Sequence, residues 1–274
     1  MSRRYLTAAA LRELDTQLTD HDRTIFRAVS DLRFVSGDQL TRLRFGSDQA
    51  SARAARRALL RLTGLGVLAR LPRAVGGVRR GSRGFVYRLG PAGQGLAVRY
   101  DWQPARRYQA HVPGTLFLRH ALQVAELHTL LVEAERAGHI ELLSLEAEPA
   151  CHRPSGGFTL KPDSYVELGA GDFVDSYFIE IDRGTEGSRA LDGQLRRYVS
   201  HHDNGREQAA RGVFPKVLWL VPDAQRAGAI ANCVERLPRH SWELFAVAPF
   251  ADALSALTGT PNQHTPNAGS DRQE

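Results

Sequence analysis

Long apolar runs, cysteine and lysine are all scarce in this chain of 274 residues. No run approaches the roughly 20 apolar residues of a membrane-spanning helix, which argues against a membrane protein. Cys151 and Cys233 are too few for a disulfide framework or a multi-cysteine zinc site. The start Met1-Ser2-Arg3-Arg4 leads into a polar stretch, unlike a secretory signal. We therefore expect a soluble cytoplasmic protein with no membrane partner, long enough for one large domain or two.

The basic charge is carried almost wholly by arginine and is unevenly distributed. Lys161 and Lys216 are the two lysines, against 34 arginines. Residues 1–110 contain 21 arginines and 8 acids, a net charge of +13, whereas residues 111–274 have a net charge of −7. Codon bias in a GC-rich genome explains a preference for arginine but not the scarcity of acids in one half. The distribution indicates a basic module joined to an acidic one.

Three helices are predicted in the basic half. A capping-box pattern at Thr19-Asp20-His21-Asp22 begins a helix over 20–32, in which apolar residues recur at helical spacing. Ser36 begins a second helix that runs to about Arg44. A third helix extends from about Gln49 to Leu65 and ends at Gly64 and Gly66.

The third helix and the segment after it contain the residues predicted to bind DNA. Opposite an apolar stripe, one side of the helix carries the arginines of a recognition helix: Arg53, Arg56, Arg57 and Arg61. Strand-like runs at 67–71 and 85–89 bracket a glycine-rich basic loop that predicts a wing, with Arg79, Arg80 and Arg83. These elements predict a winged helix-turn-helix domain over 1–103 that binds double-stranded DNA. The alternative is that the arginines form an ordinary solvated helix face.

The acidic half has the pattern of an α/β core over 114–252, after a linker at Pro104–Pro113 and before a disordered tail over 258–274. The unbroken apolar run Val217–Val221 is typical of a buried central strand. The expected fold class is therefore α+β, with a mixed central sheet in this domain. The expected helices cover 115–137, 188–202 and 224–236, and the expected strands cover 140–147, 158–168, 173–182, 217–221 and 242–248.

Acidic residues on two of these strands predict a metal site. Lys161 and Asp163 are two residues apart on one expected strand, and Glu180 and Asp182 are two apart on the next, so each pair shares a face. A hairpin between the strands would bring the three carboxylates and the lysine together. Asp163, Glu180 and Asp182 would then bind Mg²⁺ or Mn²⁺, and Lys161 would polarise the attacking water.

These residues resemble the PD-(D/E)xK nuclease superfamily, whose core is α-β-β-β-α-β. The resemblance lies in Pro162-Asp163 and in Phe178-Ile179-Glu180-Ile181-Asp182. Gln194-Leu195-Arg196-Arg197-Tyr198 is similar to the QxxxY element of the exonuclease branch. The resemblance implies that Gln194 and Tyr198, which share a helix face, contact a nucleotide, and that Glu126 is an additional acidic ligand. Asp182 stands where the superfamily has its lysine, so the site is either active or degenerate.

The chain also resembles the plasmid replication-relaxation family of mobile elements, from about Leu18 to Phe250. The most similar stretches are Leu18–Arg27, Arg57–Arg70, Phe85–Gly93 and Phe178–Glu186. The resemblance implies a DNA-binding role in replication or mobilisation of a plasmid or integrative element. Two hypotheses stay open. One is a Mg²⁺- or Mn²⁺-dependent DNA-nicking endonuclease; the other is a non-enzymatic accessory factor whose acidic domain forms a homodimer or recruits a replication or transfer protein.

Overall fold

A computed structural model describes residues 6–46, 48–71, 84–102 and 113–259. The chain divides into two compact units. The first comprises Met1–His152 and Asp163–Tyr165, and the second comprises Arg153–Pro162 and Val166–Glu274. Outside the described residues lie most of the predicted linker, the tail after Gly259 and the predicted wing arginines Arg79, Arg80 and Arg83. None of the helices in the described ranges combines the length and apolarity needed to cross a bilayer.

The first unit begins with the helices and strands predicted for the basic half of the sequence. Thr19 and Ser36 each cap a helix, and each forms a capping box with the residue three positions on, Asp22 and Gln39 respectively. The elements in chain order are α1 (Ala8–Thr16), α2 (Asp20–Leu32), β1 (Val35–Ser36), α3 (Gly37–Arg44), α4 (Gln49–Gly64), β2 (Leu68–Arg70), β3 (Val86–Leu89) and α5 (Pro91–Arg99). From α2 to β3, this is the order that a winged helix-turn-helix requires.

The strands of this region form an antiparallel sheet in the order β1-β3-β2, with Val35 opposite Tyr87 and Leu68 opposite Leu89. Between α4 and β2 the chain reverses at Gly66, whose φ of +71° favours glycine. The Gly66 amide donates to the Thr63 carbonyl and the Val67 amide to the Leu62 carbonyl, which satisfies the end of α4. The predicted role of Gly66 in ending this helix is confirmed.

The first unit also includes α6 (Thr115–Arg136) and β4 (Glu141–Ala147), two elements that the sequence pattern predicts in the second domain. Leu118 of α6 is fully buried in a cluster with Leu71 and Val86. Arg42 of α3 joins α6 by ion pairs to Glu126 and Glu133. Apolar contacts with Leu71 and β3 and ionic contacts with α3 therefore hold α6 in the first unit.

The chain after His152 forms the remaining elements. They are β5 (Arg153–Ser155), β6 (Phe158–Leu160), β7 (Ser164–Ala170), β8 (Phe173–Ile181), α7 (Ser188–Asp203), α8 (Arg206–Arg211), β9 (Lys216–Val221), α9 (Ala224–Val234), β10 (Phe245–Pro249) and α10 (Ala253–Thr258). The strands of the second unit lie in the order β10-β9-β8-β7, and β9 runs parallel to both neighbours. Its residues from Val217 to Val221 are buried, as predicted for a central strand. The α+β class with a mixed central sheet is confirmed.

Two predicted strands are wrong in part. The strand expected over 158–168 is interrupted at Lys161-Pro162-Asp163, so Lys161 and Asp163 do not share a strand face. Proline has no N–H for a strand ladder and restricts the residue before it, which accounts for the interruption. The strand expected over 242–248 begins at Phe245, because Arg239–Leu244 form a 3-10 helix.

Candidate functional site

The exposed side of α4 carries arginines that were predicted to bind DNA. Arg53, Arg56 and Arg57 are exposed, and their spacing of three and four residues aligns them along one face. The opposite face is buried and contains Ala55, Ala58, Leu59 and Leu62. Arg53 and Arg57 form no ion pair with any residue in the described ranges. This face therefore presents positive charge to solvent.

Arg61 differs from the other arginines of α4 because its guanidinium forms an ion pair with Asp22. The Asp22 side chain is fully buried. Its other oxygen accepts hydrogen bonds from the Thr19 amide at 2.9 Å and the Thr19 hydroxyl at 2.8 Å. Arg61 thus connects α4 to the N-terminus of α2, which is a structural role beside its predicted DNA contact.

The predicted catalytic carboxylates have separate partners. Asp163 belongs to the first unit, where its Oδ1 lies 2.8 Å from Nε2 of His120 on α6. Asp182 directly follows β8 and is buried. Its Oδ1 accepts a hydrogen bond from the Gly184 amide at 2.6 Å, and its Oδ2 pairs with the guanidinium of Arg226 on α9. Each carboxylate is thus held by a neighbour that carries a proton or a positive charge.

Glu180 and Tyr198 form a buried pair. The Tyr198 hydroxyl donates to Glu180 Oε1 at 2.5 Å, and both side chains are buried. The Tyr198 ring packs against Phe178 and Phe245. Because Tyr198 has no exposed surface, it is not available to stack on a nucleotide, whereas the predicted partner Gln194 is half-buried and stays accessible.

These residues do not fit a site for Mg²⁺ or Mn²⁺, which bind several oxygen ligands and favour uncompensated carboxylates. Within the described ranges, no group of three or more His, Cys, Asp or Glu side chains could hold a metal ion. Asp163 of the first unit therefore belongs to no such group, and neither do Glu180 and Asp182 of the second unit. Arg226 neutralises Asp182, and Glu126 is bonded to Arg42 at 2.6 Å and to Gln39 at 2.9 Å.

A cleft of about 490 Å³ lies beside α7 in the second unit. Two residues of the predicted centre, Lys161 and Glu180, line it together with Gln194. Sequence reasoning missed two further cations in its lining, Arg189 and Arg197. These arginines are eight residues apart, a rotation of about 80° around the helix, so they lie on one broad face, and this spacing could have revealed them.

The surroundings of Glu133 and His128 in the first unit shift the pKa values of both side chains. Hydrogen bonds from Arg42 to Glu133, at 2.9 Å and 2.5 Å, lower the pKa of that carboxyl. Burial lowers the pKa of His128 to about 3, and its Nε2 lies 3.0 Å from the Ser164 hydroxyl. His128 is therefore neutral at physiological pH.

Comparison with known families identifies the chain. A family model described as replication-relaxation matches residues 26–217. The chain belongs to the replication-relaxation family. Searches of curated proteins and of solved structures found no match to this replication-relaxation protein. The match begins in α2 and ends in β9, so it includes the arginine face of α4 and the α7 side of the cleft.

Proposed function

We propose that this replication-relaxation protein binds double-stranded DNA through the arginine face of α4 and acts in replication or mobilisation of a plasmid or integrative element. The observation that carries the proposal is the exposed array of Arg53, Arg56 and Arg57 on a helix whose other face is buried. Family membership supports the biological role.

The arginines on the exposed face of α4 direct their charge toward solvent. Exposed arginines at helical spacing can contact successive phosphates or guanine edges, as the recognition helix of a helix-turn-helix does. An arginine already paired with a carboxylate would contribute less, and Arg61 is paired in this way. We therefore expect Arg53 and Arg57 to contribute more to DNA affinity than Arg61 does.

The test is fluorescence anisotropy of the full chain with a labelled DNA duplex between 50 and 200 mM salt, a range over which phosphate contacts weaken steeply. Replacing Arg53 and Arg57 together by alanine should weaken binding and reduce the logarithmic salt slope by roughly 2, about 0.9 for each lost phosphate contact. The matched control is the pair Arg12→Ala and Arg99→Ala, exposed arginines of α1 and α5. Equal losses in the two double variants would contradict the proposal and favour a merely solvated face.

The second hypothesis, metal-dependent nicking, has one supporting observation: Lys161 and Glu180 line the same cleft. The pairing of Asp182 with Arg226 counts against it. We therefore propose a non-enzymatic role. Supercoiled plasmid incubated with Mn²⁺ should stay intact with both the wild type and Glu180→Ala, and nicking that the substitution abolishes would overturn this part of the proposal. Homodimer formation and recruitment of a replication or transfer protein stay predictions.

A further inference from the structure

The cleft of the second unit suggests a ligand site separate from the arginine face of α4. We propose that it binds the phosphate group of a nucleotide-sized ligand and does so without a divalent ion. The proposal does not rest on duplex binding by α4, because every residue that lines the cleft belongs to the second unit.

Charge in the cleft favours an anion. Lys161, Arg189 and Arg197 line it and are exposed, and none of the three forms an ion pair with a residue that the structure describes. The acidic residues of the lining are Glu180 and Glu186. Glu180 is buried and accepts the Tyr198 hydroxyl, so the accessible lining is predominantly positive. Guanidinium groups suit phosphate because they donate paired hydrogen bonds in a fixed geometry.

The dimensions favour a ligand larger than a single phosphate. Arg189 and Arg197 are eight residues apart on α7, which separates them by about 12 Å along the helix axis. Gln194 lies between them in sequence and can both donate and accept hydrogen bonds, as recognition of a base or sugar requires. A volume of about 490 Å³ is within the range of small-molecule sites.

The same residues explain why a metal ion is not required. In a PD-(D/E)xK nuclease, carboxylates hold a cation that in turn contacts the phosphate. Here Asp182 forms an ion pair with Arg226, and the side chains that line the cleft supply positive charge directly. Cationic side chains would thus replace the ion as the phosphate ligand.

Isothermal titration of the full chain in EDTA tests the proposal, with thymidine 5′-monophosphate and thymidine as probes. We expect the nucleotide to bind at least tenfold more tightly than the nucleoside. The double substitution Arg189→Ala and Arg197→Ala should weaken nucleotide binding at least tenfold, because it removes charged hydrogen-bond donors. Arg196→Ala is the matched control, since Arg196 is exposed on the same helix but does not line the cleft.

Three outcomes would overturn the proposal: no binding of the nucleotide, binding only when Mn²⁺ replaces EDTA, or an equal loss in Arg196→Ala. A 5′-phosphorylated pentathymidylate added as a third probe distinguishes two sources of the phosphate. Tighter binding than the mononucleotide indicates a strand end, and equal binding indicates a free nucleotide. The Arg53→Ala and Arg57→Ala variant should bind the mononucleotide normally, which separates this test from that of duplex binding.

Discussion

At the scale of single residues, the role of a charged side chain depends on its ion-pair partner as much as on its position in the sequence. Arg57 and Arg61 are both exposed arginines of α4, yet Arg61 pairs with the buried carboxylate of Asp22. The helical repeat predicts the shared side correctly but does not specify which arginine meets an acid from another helix. Asp182 is a similar case, because its partner Arg226 is 44 residues away in sequence.

Replacing Arg61 by alanine should lower the free energy of unfolding by about 1 to 3 kcal/mol, because the buried Asp22 carboxylate loses its cation. The Arg57→Ala variant should change stability by less than about 0.5 kcal/mol, as is usual for an exposed residue, because Arg57 pairs with none of the residues that the structure describes. Urea unfolding followed by circular dichroism measures both. Equal stability of the two variants would show that the Arg61 pair contributes nothing.

His128 predicts a pH dependence of stability. Its pKa is about 3 in the folded protein, below the ordinary value of 6.5, so between these pH values the unfolded chain binds a proton that the folded protein does not. Stability from this residue is therefore complete above about pH 6.5 and falls as the pH drops toward 3. Between pH 7 and 5.5 the wild type should lose about 1 kcal/mol more than His128→Gln. Urea titrations at both pH values measure this difference, and parallel losses would contradict the assignment.

At the scale of elements, close approach between backbone segments determines which helical positions require glycine. Helix propensity does not distinguish these positions. A Cβ atom on Gly93 of α5 would lie 2.1 Å from the Val67 carbonyl oxygen, whereas one on Gly64 of α4 would meet nothing within 4 Å. Both glycines are helical, so the sequence alone treats them alike. Only the packing of α5 beside the start of β2 distinguishes them.

Gly93→Ala should therefore destabilise the protein by about 3 kcal/mol, since backbone atoms must shift to admit the methyl group. Gly64→Ala should be neutral or stabilise by up to about 1 kcal/mol, because alanine is the better helix former. Thermal unfolding of the two variants provides the comparison. A Gly93→Ala protein as stable as the wild type would mean that α5 and Val67 do not approach so closely.

The elements themselves were largely predictable. The helix starts at Thr19 and Ser36 and the end of α4 at Gly64 and Gly66 are local features, and the structure confirms them. The candidate site was less predictable because the strand expected over 158–168 contains Pro162, which interrupts it. Lys161 and Asp163 therefore do not share a strand face. Lys161 and Glu180 nevertheless line one cleft, while the other two carboxylates have partners that lie far away in sequence.

At the scale of the whole molecule, the charge asymmetry is smaller than the sequence halves suggest. The first unit, which includes α6 and β4, has 23 basic and 15 acidic residues, a net charge of +8, and the second unit has a net charge of −2. The difference arises because acids of the acidic half belong to the basic unit. Glu126 and Glu133 are two of them, and both pair with Arg42.

This division predicts the behaviour of fragments. A fragment of residues 1–110 should unfold at a lower urea concentration than a fragment of residues 1–152, because it lacks Leu118, which packs against Leu71 and Val86. Burial of one such side chain stabilises by about 1.5 to 3 kcal/mol. Circular dichroism in urea compares the two fragments. Identical midpoints would show that the N-terminal domain is complete without α6, as the sequence-based boundary at residue 103 predicts.

The sequence by itself determined the starts of α2 and α3, the end of α4, the central strand Val217–Val221, the arginine stripe of α4 and the resemblance to the replication-relaxation family. These features depend on residues that are near one another along the chain, where helix and strand periodicity fixes which side chains share a face. Only the tertiary structure decided which charges are paired: Arg61 with Asp22, Arg42 with Glu126 and Glu133, and Arg226 with Asp182. The physical reason is that an ion pair depends on a separation of a few ångströms, which packing between distant segments sets.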